Sequence, residues 1–178
     1  MQKRNNFVFI CLHIVAWAIF IGLCIEAGGL LVNFVCSIYK PEFVKNLYQK
    51  LDLSEMYNRS RWAFFSIYSL ILVVALLKAY LFYIVVMLMH KIDLSKPFNS
   101  FVSKEITKIS YCTFSIGILS YTARQTAKNL QHRGYAIDNV TQFWGDSEAF
   151  ILMAAVIYVI ATIFKKGVEM QTENDLTV

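Results

Sequence analysis

Charge is scarce in this chain: only 16% of its 178 residues are Asp, Glu, Lys or Arg, and only two are proline. An ordinary soluble domain carries about 25% charged residues, so a globular soluble enzyme is close to excluded. The shortage of proline beside 14 Phe and 10 Tyr excludes a disordered chain as well. Cys11, Cys24, Cys36 and Cys112 include no C-x-x-C spacing. That removes a zinc knuckle or redox pair and leaves four soft packing residues. A dinucleotide loop, a P-loop and a metal-binding helix motif are missing too.

What fills the chain is apolar: 57% of it is hydrophobic and its mean hydropathy is +0.51. A soluble core of this size could not hide that much, whereas a bilayer of about 30 Å takes about 20 apolar residues per helix. Four spans are predicted, over about 7–38, 62–89, 106–123 and 143–164. The first holds 19 residues without formal charge from Phe7 to Ile25 and resumes after Glu26. Lys3 and Arg4 before it resemble the start of a signal peptide, but a cleavable core is about 7–15 residues, so a retained anchor is expected. Lys78 alone interrupts the second span, and Lys165-Lys166 stops the fourth. The third is the weakest, with Lys108 and Arg124 near its ends. The expected fold is an all-α, integral-membrane four-helix bundle forming one domain over 1–178, with a tail over 165–178.

Four spans put both termini on one side. The positive-inside count ties at eight Lys and Arg on each side, so the basic flank of the first span decides, with Lys165-Lys166 against the membrane in support. Both termini are predicted to be cytoplasmic. Tyr39, Trp62, Tyr121 and Trp144 fall at the predicted outer ends, where amphipathic rings suit headgroup depth. The first connection repeats Phe43, Val44, Leu47, Tyr48 and Leu51 at helical spacing behind Pro41. An amphipathic helix over about 41–52, lying on the membrane surface, is expected, with a lid across the helix ends as the alternative. Asn99 or Ser100 can cap the third span.

Charge inside the membrane is costly, which singles out Glu26 and Lys78. Ala18, Gly22, Gly29 and Asn33 share a face with Glu26, and small residues let another helix approach. Ideal helices place Glu26 and Lys78 about 7.5 Å apart in depth. Two readings stay open: a proton relay or ligand counter-charge, and a structural pair or snorkelling side chains. Ser110, Thr113, Gly117, Ser120 and Arg124 line one face of the third span, either as a packing stripe or as an outward groove for an anionic headgroup. His13 has no second histidine in a span to complete a metal or haem site. Serines and cysteines lack the partners of a nucleophilic site, so no catalytic, cofactor or metal residue is assigned and no enzyme is expected.

Two segments carry a resemblance. One is Lys91-Ile92-Asp93-Leu94-Ser95-Lys96-Pro97-Phe98-Asn99, continuing to Cys112; the other runs from Lys165 through Glu173-Asn174-Asp175-Leu176-Thr177-Val178. Together they resemble the bacterial domain-of-unknown-function 2975 family of four-span inner-membrane proteins. The resemblance implies no activity. It does imply a regulatory partner, since members are commonly encoded beside small helix-turn-helix transcription regulators. Both segments are predicted to face the cytoplasm, which makes Asp93, Pro97, Phe98, Glu173, Asn174, Asp175, Leu176 and Val178 candidate partner contacts. Leu176-Thr177-Val178 also has the form captured by strand addition. The expected partners are the lipid bilayer and such a regulator, with no direct nucleic-acid binding, and a homo-oligomer stays open. A transporter or a lipid-binding or small-molecule-binding bundle built on Glu26, Lys78 and Arg124 is the alternative.

Overall fold

The uncharged runs become long helices because nothing in them interrupts the backbone ladder. The computed structural model describes residues 2–45, 47–48, 51–93, 98–135, 137–144 and 147–176. Helix α1 is Gln2–Tyr39, α2 is Ser54–Arg59, α3 is Arg61–Lys91, α4 is Ser100–His132 and α5 is Ser147–Leu176. Among the described residues, the 3-10 helices Pro41–Lys45 and Asp138–Phe143 lie in the connections. The boundaries are set by local chemistry. The Ser60 hydroxyl accepts the Ala63 N–H at the start of α3. The Asn99 side chain accepts the Val102 N–H at 2.9 Å, so the cap foreseen for the third span falls on Asn99 rather than Ser100. At the far end of α4, Gly134 adopts φ +78° while its N–H reaches Gln131 O and the Tyr135 N–H reaches Leu130 O. Those paired bonds close the helix in a Schellman turn that a side chain at position 134 would strain.

The four long helices stand antiparallel in sequence order, α1 on α3, α3 on α4 and α4 on α5. Among the described residues α1 and α5 share no extensive face, so the four long helices pack as an open row rather than the closed four-helix bundle expected. The reason lies in α4, which spends opposite faces on its two neighbours. Towards α3, the Cys112 thiol meets Leu77 O at 3.6 Å. Towards α5, the Ser110 hydroxyl donates to Ala154 O at 3.0 Å. Gly117 sets that second approach: a Cβ there would lie 2.7 Å from Ile151 Cγ1 and 3.1 Å from the Ile151 backbone nitrogen. Both ends of the chain, at Gln2 and Leu176, fall at the same end of the row.

Three of the helices are long and apolar enough to cross a membrane: Phe7–Tyr39 of α1, Arg61–Lys91, and Ser147–Glu173 of α5. Helix α4 is not among them. Its buried Ser103, Ser110, Thr113 and Ser120 are shielded by neighbouring helices, which lowers its hydropathy without exposing those groups. The tail expected beyond Phe164 is helix as far as Leu176, a continuation of α5.

The end of the row opposite the termini is capped by protein. The surface helix expected over 41–52 is replaced by the 3-10 helix Pro41–Lys45 and an isolated antiparallel bridge between Leu47 and Leu51; positions 46, 49 and 50 lie outside the described residues. Val44, Leu47, Leu51 and Leu53 are all buried, too many directions for one amphipathic face, so the segment folds down as a lid. They join Met56, Tyr57, Phe64, Tyr68, Ile137, Val140, Phe143 and Trp144 in one core with Leu30 of α1. Tyr68 donates its hydroxyl to Leu30 O at 3.1 Å, and Phe34 stacks on its ring. Arg59 ties the two connections together, donating to Arg133 O and Gly134 O, both at 2.9 Å, with its guanidinium 4.3 Å from the Tyr135 ring centre. Tyr39, Trp62 and Tyr121 are exposed at this end as an interfacial belt requires, but Trp144 is buried in the cap.

Candidate functional site

The residues singled out by charge do not converge. Lys78, half-buried on α3, donates to the backbone carbonyl of Phe143 at 3.1 Å and so reaches towards the cap. Glu26 lies half-buried on α1 and makes no hydrogen bond or ion pair among the described residues. The pairing considered for these two is therefore absent, and Lys78 does not snorkel towards the terminal end. Asn33, also half-buried, sits two turns further along α1. Arg124 meets Glu148 of α5 at 3.3 Å, with both side chains largely in the open, an exposed pair that contributes little by itself. The stripe ending at Arg124 is a packing face: Ser110, Thr113, Gly117 and Ser120 are buried.

One contact had no signal in the sequence. His90, in the last turn of α3, comes within 6.1 Å of His13, ring centre to ring centre, and His13 Nε2 is buried without a partner. The two positions are 77 residues apart, and only the antiparallel pairing of α1 with α3 brings them together.

At the terminal end the two recognisable segments do meet. Phe98, just before α4, packs its ring 5.1 Å from Phe164 and onto Gly167, where an added Cβ would sit 2.7 Å from the ring. This contact fastens the connection to α5. Asp93 and Glu173 are exposed and each already has an interaction within the chain. Asn174, Asp175 and Leu176 form the final helical turn, whereas Pro97 and Val178 lie outside the described residues. Of Leu176-Thr177-Val178, Leu176 is helical and Thr177 and Val178 lie outside the described residues.

Between α4 and α5 at this end lies an open groove of about 520 Å³, lined by Ser100, Ser103, Lys104, Thr107, Lys108, Lys165, Val168 and Glu169. Lys108 bonds Glu105 at 2.7 Å, a carboxylate that is itself largely buried. Lys104 and Lys165 make no ion pair among the described residues. A second groove of about 360 Å³ follows along the same helix pair towards the middle of the row, between Tyr111 and Phe114 on one side and Ala155, Tyr158 and Val159 on the other. Among the described residues no three His, Cys, Asp or Glu side chains cluster as metal ligands.

No curated protein and no solved structure matches the chain. A family described as Protein of unknown function (DUF2975) matches residues 48–178, which takes in the end of the lid, α2, α3, α4 and α5 but leaves out α1 and the 3-10 helix Pro41–Lys45. Nearly three quarters of the sequence is covered, both recognisable segments included, and the chain belongs to the DUF2975 family.

Proposed function

We propose that the protein is a non-enzymatic membrane protein of a bacterial inner membrane that crosses the bilayer four times and docks a soluble regulatory partner at its terminal end. Helix α4 crosses with its neighbours because it packs against, and near its middle bonds to, two helices that are apolar enough to span. With the basic flank of α1 inside, the terminal end is cytoplasmic.

The observation that carries the docking reading is the Phe98 ring seated on Phe164 and Gly167. It joins the start of α4 to α5 where the two segments meet. Val168 and Glu169 share the groove with Ser100, so the residues from Met170 onward run past the start of α4 and present exposed side chains at Met170, Gln171, Thr172 and Glu173. Seven further residues of helix give about 10 Å of overhang, enough for a partner helix to lie against. The partner class is a small helix-turn-helix transcription regulator, as the family resemblance implies.

Removing residues 170–178 leaves the groove, Phe98, α1, α3 and α4 in place and shortens α5 to end at Glu169. Cross-linking in native membranes from a photoreactive residue at position 172 should capture a soluble protein, and the truncated chain should release that protein to the soluble fraction. Unchanged co-sedimentation after truncation, or cross-links only to a second copy of the chain, would refute the docking reading.

A further inference from the structure

The two grooves between α4 and α5 lie in line along the same pair of helices. On α4 the lining residues Ser100, Lys104, Thr107, Tyr111 and Phe114 advance by alternating steps of four and three, so they stand on one face. On α5, Ile151, Ala155, Tyr158, Lys165 and Glu169 keep the same stripe in the opposite direction. The seam therefore has a cationic end and an apolar length. Ten residues separate Lys104 from Phe114, about 15 Å along the axis, which is the depth of one leaflet of the bilayer core. Lys165 stands where the apolar run of α5 ends, so the cationic end falls at headgroup depth.

We propose that this seam binds one anionic phospholipid, with its phosphate between Lys104, Lys108 and Lys165 and an acyl chain laid along Tyr111, Phe114, Tyr158 and Val159. Charge complementarity selects this occupant. Lys104 and Lys165 make no ion pair among the described residues, Glu105 is already engaged by Lys108, and the three lysines outnumber the two carboxylates, Glu105 and Glu169. Glu169 completes the lining with an acceptor for headgroup hydroxyls, which favours a glycerol headgroup over a bare phosphate. The apolar length accounts for the choice of a lipid over a soluble anion. Tyr111, Phe114, Tyr158 and Val159 are all exposed, with the two tyrosine rings 6.4 Å apart, so the floor of the seam opens onto the hydrocarbon region. Basic pockets between membrane helices on the cytoplasmic side suit anionic headgroups for the same reason. The docking reading is tested by truncation beyond Glu169, which leaves the groove lining intact, so failure of one reading is distinguishable from failure of the other.

The test uses the full chain reconstituted in phosphatidylcholine vesicles doped with phosphatidylglycerol, with lipids retained after detergent extraction counted by native mass spectrometry. The parent should retain phosphatidylglycerol in preference to phosphatidylcholine. Lys104→Gln and Lys165→Gln should each reduce that preference by roughly fivefold, Lys104→Arg and Lys165→Arg should preserve it, and Lys166→Gln, outside the groove, should leave it unchanged. Ala155→Phe, which fills the apolar length, should lower retention of phosphatidylglycerol while the lysines remain. Equal retention of the two lipids by the parent, or an equal loss with Lys166→Gln, would overturn the proposal. So would displacement of the lipid by free glycerol phosphate, which would assign the lysines to a soluble anion. Disulfide cross-linking of Tyr158→Cys between two copies, without a retained lipid, would assign the seam to self-association and overturn it as well.

Discussion

Replacing Lys78 by Met separates an anchoring role from a transport role. In the structure the ammonium donates to Phe143 O at 3.1 Å and fastens the middle of α3 to the end of the 3-10 helix Asp138–Phe143. A hydrogen bond from a charged donor contributes about 1.5–3 kcal/mol. Against that loss, a lysine near a helix centre costs about 2.5–3.5 kcal/mol on insertion scales, and Met avoids most of it. The two terms nearly cancel for the whole molecule, so overall stability should change by less than about 1 kcal/mol. They do not cancel locally. The cap loses its tether while the gain falls on α3, so amide exchange over 140–144 should accelerate by roughly 10- to 150-fold, the exponential of the lost bond. Hydrogen exchange read by mass spectrometry on the reconstituted protein measures this, and Lys78→Arg should restore most of the protection. Unchanged exchange over 140–144 in Lys78→Met would refute the tether. Loss of a solute flux in Lys78→Met with the cap still protected would reinstate the transport reading.

Other perturbations test the remaining joints. Gly117→Leu should destabilise the α4–α5 pair by about 1–3 kcal/mol through overpacking, measured by denaturant titration in detergent micelles; a stabilised variant would mean that Ile151 does not approach as closely as 2.7 Å. Arg59→Ala removes two hydrogen bonds and a cation–π contact and should cost about 1–2 kcal/mol, with faster proteolysis of the 133–137 connection as the readout. Equal protease resistance in the variant would show that the two connections hold without it. Hydrogen bonds from Ser54 hold the Asp52 carboxyl below the usual carboxylate range. Because the folded value is depressed, its contribution is complete above the unfolded pKa and is lost as pH falls through the folded one. Carbon-13 NMR of labelled Asp should find Asp52 titrating below an ordinary aspartate, and Ser54→Ala should move it only part of the way back, because the backbone N–H at position 54 still donates to its carboxylate.

Much of the helical fold can be read from hydropathy, because a run of apolar residues in this chain is also a helix. The expected span over 62–89 becomes Arg61–Lys91, and 7–38 becomes Gln2–Tyr39. What hydropathy cannot carry is which helix is shielded. Helix α4 reads as weak because Ser110 and Thr113 depress its average, yet these groups are buried, Ser110 bonding across to α5 and Thr113 bonding Ile109 O within its own helix. The lid escaped for a related reason. Val44, Leu47 and Leu51 fit a helical stripe, but burial of Leu53 as well needs the chain to turn back, and the bond from Leu53 N–H to Val44 O closes that turn. Periodicity records which residues are apolar and does not record from how many sides they are covered.

The candidate site was legible in its parts and not in its arrangement. Rare charge in an apolar chain directs attention to Glu26 and Lys78, yet a charge can be answered by any backbone carbonyl within reach, and Phe143 supplies one that no spacing rule would nominate. Lys104, Lys108 and Lys165 attract less notice because lysines at span ends are ordinary anchors. Their importance depends on the register between α4 and α5, fixed by three contacts distant in sequence: Phe98 on Gly167, Ser110 on Ala154 and Gly117 on Ile151. A shift of one turn along α5 would carry Lys165 about 5.4 Å from the groove and break the Ser110 bond together with the Gly117 approach. The same small residues that seat α5 on α4 therefore bring the cations into one cluster, and a packing change at Gly117 should weaken lipid retention even though it touches no lysine.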